Sequence, residues 1–224
     1  MHLRLVAVTA ALVGAACVQP IVRPMRIAPG PRVTAAVGGA VGGRDEVFCY
    51  EGCKPQDVSG VVMAIDGGYG WLLRPWAGVS VGARVGGGKR KSAGGANVAW
   101  AMASAQHRVV AGAAGFEVGS NSVAGLIGVE LRPLGDRPTS PRLTAYAHAA
   151  APLVPAAAGA DPHDLARASW DVGASLRLDG WLVQYAYDRR VSGRFEVPGL
   201  EGAGEAASWH AVVVGRDLTF TVGE

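Results

Sequence analysis

At 224 residues the chain is long enough for one all-β domain. Half of it is apolar, 17% is charged and the formal net charge is +3, which excludes the strongly basic surface that nucleic acid needs. Glycine is abundant at 33 residues and aromatic residues stay at 7%. Such a chain favours turns and close packing over long helices.

The N-terminal residues read as an export signal. Residues 1–4 carry one positive charge, residues 5–16 are apolar but for Thr9, and Gly14, Ala15 and Ala16 lead into Cys17. The apolar run is too short to span a bilayer as a helix. Val13, Gly14, Ala15, Ala16 and Cys17 together resemble the lipobox of bacterial lipoproteins. That resemblance implies cleavage before Cys17, with lipid on its thiol and new amino group. Pro20, Pro24, Pro29 and Pro31 follow. Proline lacks an amide donor and favours extended chain, so this stretch is expected to be a tether. The expected organisation is a signal peptide over 1–16, a lipidated and Pro-rich tether over 17–31, a barrel over 32–220 and a tail over 221–224.

Ten strands are predicted from period-2 alternation, which places successive side chains on opposite faces. The first covers 32–42, with Val33, Ala35, Val37 and Val41 opposite Thr34, Ala36, Gly38 and Ala40. The second, 61–73, sets Val61, Met63, Ile65, Tyr69 and Trp71 against Val62, Ala64, Asp66, Gly68 and Gly70. The third, 76–86, places Val79, Val81 and Val85 outward and Ser80, Gly82 and Arg84 inward. The fourth, 97–105, opposes Val98, Trp100 and Met102 to three alanines. The fifth, 110–119, and the sixth, 123–132, turn Glu117, Glu130 and Arg132 inward. The seventh, 143–151, carries Tyr146 and His148 on its more polar face. The eighth, 169–178, has Asp171, Ser175 and Arg177 inward. Asp179-Gly180 then reads as a two-residue hairpin turn. The ninth, 181–191, has Gln184, Asp188 and Arg190 inward. The tenth, 208–220, is expected to open with Trp209 out and His210 in.

Connections alternate between short turns at one end and longer loops at the other, the pattern of an outer-membrane barrel. On pattern, residues 32–220 resemble a small bacterial outer-membrane β-barrel. The fold expected is therefore all-β: an antiparallel membrane barrel of about ten strands, eight and twelve being the neighbouring even counts. The six tryptophans, Trp71, Trp76, Trp100, Trp170, Trp181 and Trp209, are assigned to the lipid side, most of them near strand ends. Both termini are expected in the periplasm.

The inward charges Asp66, Arg84, Glu117, Glu130, Arg132, Asp171, Arg177, Asp188 and Arg190 include both signs. They are expected to pair inside the lumen, as buried charge requires. Gly68, Gly70, Gly78, Gly82 and Gly128 leave room there for water or for larger opposing groups. Cys49 and Cys53 lie in a polar loop and are expected to form a small disulfide ring after export. Lys89, Arg90 and Lys91 could meet lipopolysaccharide phosphates, so the expected partners are outer-membrane lipid and lipopolysaccharide.

No Ser, His and acid spacing resembles the barrel acylhydrolases, and no cofactor, metal or enzymatic role is expected. The expected role is structural, surface-binding or that of a narrow pore. The competing reading is a lipid-anchored periplasmic sandwich or barrel that binds a ligand or partner, with its apolar face inside and its charges outside. The two differ at single positions. With lipid outside, Val172→Arg blocks membrane assembly while Ser175→Arg is tolerated.

Overall fold

The computed structural model describes residues 20–46, 56–88, 96–119, 122–135, 140–152, 169–191 and 205–219. Cys17, Cys49, Cys53 and Lys89 to Lys91 lie outside them.

Ten antiparallel strands form one closed sheet: β1 (Gly30–Glu46), β2 (Gln56–Arg74), β3 (Ala77–Gly88), β4 (Ala96–Gln106), β5 (Val110–Gly119), β6 (Ser122–Leu131), β7 (Arg142–Pro152), β8 (Ser169–Leu178), β9 (Trp181–Val191) and β10 (Glu205–Thr219). Neighbours in sequence are neighbours in space, and β1 pairs with β10 to close the ring. Closure leaves no edge strand with unpaired backbone groups, the condition for a sheet without water around it. At the β8–β9 turn Asp179 has φ 49° and Gly180 φ 78°. That left-handed pair matches the twist of a two-residue hairpin.

The alternation holds as expected on the strands other than β4 and β10, with apolar residues out and mostly polar or small residues in. Outside, Ile127 is 63% exposed and Val37 and Phe116 are each 55% exposed. Inside, Asp66, Glu117, Glu130, Arg177 and Asp188 are all buried. Among strand side chains that are described, the outward charges are Arg74, Arg189 and Arg216, each close to a strand end. The Arg216 guanidinium sits 5.3 Å from the centre of the Trp181 ring. Tyr69, Trp71, Trp76 and Trp181 are exposed near the short-turn end, and Trp170 stacks on Tyr187 near the other.

Three expectations are corrected. Along β10 the phase is reversed: Trp209 packs inward and His210 is exposed, its Nδ1 2.7 Å from the Tyr185 hydroxyl. Residues 211–214 are apolar on both faces, so alternation is silent there. The register decides it, setting Ala211 directly opposite the inward Ala40 and Ala186. Trp100, assigned to lipid, faces the lumen and is buried.

The third correction concerns residues 20–29, read as a tether. Ile21, Val22, Arg23, Met25 and Ile27 are all buried inside the barrel. The missing proline donors that suit a solvated linker also suit a chain buried with no strand beside it.

This filled interior changes one expectation about facing. Val172 is exposed on the outer wall, so Val172→Arg is still expected to cost about 2 kcal/mol and to reduce membrane assembly. Ser175 is buried in an occupied lumen, so Ser175→Arg is now expected to destabilise as well. Assembly yields of Val172→Arg, Ser175→Arg and Ser175→Ala check this. Only Ser175→Ala should match the parent chain.

A candidate functional site in the barrel lumen

The N-terminal segment enters the lumen beside Gly30, at the end where β1 begins. Wall glycines receive it. A Cβ on Gly70 or on Gly78 would come within 3.0 Å of the Ile27 side chain, and one on Gly128 within 2.5 Å of the Met25 sulfur. Ile21, Met25 and Ile27 pack with Trp100, Met102, Leu126 and Tyr146. Val22 packs with Ala36, Ala64, Leu182 and Val213.

A buried segment outside any sheet must find partners for its own backbone. The wall supplies them from side chains. Ile21 N–H donates to the Tyr146 hydroxyl at 3.3 Å. Met25 and Arg26 N–H both donate to Glu130 Oε2 at 3.1 Å. Ile27 N–H donates to Gln106 Oε1 at 3.2 Å. The Arg177 guanidinium donates to the Val22 carbonyl, and that of Arg26 to the His107 carbonyl in the β4–β5 turn.

Arg23 carries the charge of the segment into the largest ion-pair cluster among the described residues. Its Nη1 lies 3.1 Å from Asp66 Oδ2, and its Nη2 donates to Glu117 Oε1. Its guanidinium carbon is 4.4 Å from the centre of the Trp100 ring. Arg84 Nη2 holds the second Glu117 oxygen at 2.6 Å. His148 Nε2 is 3.2 Å from that same oxygen, and its Nδ1 is 2.5 Å from Asp171 Oδ1. A second cluster joins Arg32, Thr34 and Arg177 to Asp217, at 2.9, 2.7 and 3.4 Å. Glu130 also pairs with Arg132 at 3.1 Å.

Of the charges assigned to the lumen, Asp66, Arg84, Glu117 and Asp171 therefore meet in one cluster, while Glu130 and Arg177 hold the segment's backbone. Asp188 is buried elsewhere on the inner wall. Arg132 is half-buried just beyond β6. The Arg190 side chain lies outside the described residues. Arg23, Arg32 and Asp217 were missed. For Arg23 a signal was present: Ile21, Val22, Met25 and Ile27 are too apolar for a solvated linker. Asp217 was lost with the phase of β10.

No family model matches the chain, and neither does any curated protein. Solved structures similar to it include the KdgM porin, at 6% identity and TM-score 0.42, over 85% of this chain and 99% of that one. The NanC porin is similar at 8% identity and TM-score 0.41, over 80% and 98%. The translocator domain of the autotransporter NalP from Neisseria meningitidis is similar at 14% identity and TM-score 0.38, over 95% and 93%.

Proposed function

We propose that this protein is an outer-membrane β-barrel whose narrow pore is closed by its own N-terminal segment. One observation carries the reading: hydrocarbon side chains cover the outside of the closed wall while paired charges line the inside, around a lodged strip of chain. A water-soluble barrel would bear the opposite facing, which counts against the periplasmic alternative. An apolar band of this kind matches a bilayer. The short turns, 75–76 and 179–180 among them, face the periplasm in this reading. The opposite strand ends, such as those of β7 at Pro152 and β9 at Val191, face outward in it.

Lipidation at Cys17 is proposed for a state in which the segment has left the lumen. Only three residue steps, about 10 Å of extended chain, separate Cys17 from Pro20, which is already buried in the lumen. An anchor at Cys17 and a lodged segment therefore compete for the same stretch. A disulfide between Cys49 and Cys53 would pin an outer loop.

The test is gel mobility of the membrane fraction, unboiled against boiled. Closed membrane barrels unfold slowly, so the unboiled band is expected to run compact and to shift on heating. A single unshifted band, released by mild detergent, would return the periplasmic alternative.

A further inference from the structure

The groups that box the Arg23 guanidinium come from the wall, and Trp100 and Glu117 are positioned by other wall residues. Trp100 lies flat because Gly68 and Gly82 face it: a Cβ on either would come within 2.7 Å or 2.5 Å of its ring. Glu117 is aimed by Arg84 at 2.6 Å, with His148 3.2 Å away. Asp66 reaches the box from β2, and its other oxygen, buried, meets no donor among the described residues. A cavity of about 40 Å³ adjoins, bordered by Asp66, Ser80 and Trp100, room for one or two waters or a small substituent. The wall groups facing the box are Asp66, Glu117 and Asp171 against Arg84 and His148, so it lacks a cation when Arg23 is gone.

The geometry also selects the kind of cation. Two different nitrogens of one planar group reach carboxylates on β2 and β5, while the plane's carbon lies over an indole. A guanidinium does all three at once, and a compact ammonium does not. We infer that the lumen wall is a receptor site for a guanidinium group, filled at rest by Arg23 and taken by a guanidinium-bearing solute when the segment leaves. This rests on the plugged-pore reading.

Two measurements on the full chain test it. In the first, Arg23→Ala protein in detergent is heated with guanidinium chloride or sodium chloride at about 10 mM, an excess for a millimolar site. Guanidinium is expected to raise the unfolding midpoint of Arg23→Ala by several degrees, to leave the parent chain unchanged, and to have no such effect once Asp66→Asn is added. In the second, a barrel with residues 21–27 replaced by Gly and Ser is placed in a planar bilayer. Guanidinium is expected to block its current at about tenfold lower concentration than tetramethylammonium, a difference equal to about 1.4 kcal/mol.

Equal effects of guanidinium and sodium in the first measurement overturn the receptor. Rescue without selective block overturns the claim that a solute takes the place of Arg23. A conducting barrel with neither effect leaves the plugged pore standing and removes the receptor. A silent barrel with rescue removes the pore, and with it the passing solute.

Discussion

Replacing residues 21–27 with a Gly and Ser sequence of equal length is expected to turn a silent barrel into one that gives discrete single-channel steps in a planar bilayer. The parent chain has its lumen occupied by Ile21, Val22, Arg23, Met25 and Ile27, all buried. The wall behind them is thin in side chains: Gly70, Gly78 and Gly128 are the surfaces on which Ile27 and Met25 sit. Ten strands give a bore only slightly wider than one that wall side chains can fill, so the pore is narrow and its current small. The same change removes buried apolar groups worth about 1.5–3 kcal/mol each as an upper estimate, so the heat shift moves to lower temperature. The wall's strand pairing is untouched, and the compact unboiled band is expected to persist. A barrel that keeps that band and stays silent would mean that the wall itself closes the lumen and the segment is only core.

Arg23→Ala is expected to be the costliest single substitution in the segment. Among the described residues, it leaves Asp66 without the one partner its carboxylate bonds and takes one of the two guanidinium groups from Glu117. Breaking a buried pair by removing one member costs about 3–5 kcal/mol, because a desolvated charge is left behind. Arg23→Lys should fall between the two proteins: it keeps the charge but not the two-armed bond or the stacking on Trp100. Unfolding of the detergent-solubilised barrel, read by the gel shift across a denaturant series, measures both. A loss below about 1 kcal/mol for Arg23→Ala would place the pair in the range of a solvated surface contact and contradict a dry lumen.

Much of this architecture is local in origin. Period 2 is a property of neighbouring residues, so strand count, the Asp179-Gly180 turn and the inward placement of Asp66, Glu117, Glu130, Tyr146, His148 and Arg177 were legible along the chain. The inward glycines were legible as room, though not as the seats of particular side chains. Where alternation fails, as in the apolar run 211–214, only the pairing of β10 with β1 and β9 assigns the faces. That pairing also turned Trp209 inward and brought Asp217 to Arg32 and Arg177.

Where the segment lodges was decided by the tertiary structure, although Ile21, Val22, Met25 and Ile27 already argued against a solvated linker. Its proline content describes a chain without strand partners, and such a chain is equally at home in water or in a lined cavity. What separates the two cases is who supplies the hydrogen bonds. Here the suppliers are far away in sequence: Glu117 is 94 residues from Arg23, Tyr146 is 125 from Ile21 and Arg177 is 155 from Val22. The sequence by itself determined which residues share a face, one charged and one apolar, because that follows from the pleat of each strand, and the closed ring turned the charged face inward. The closed ring decided which charges meet and what fills the space between them, because only closure brings β2, β4, β5 and β7 around a common axis where one guanidinium can touch several of them.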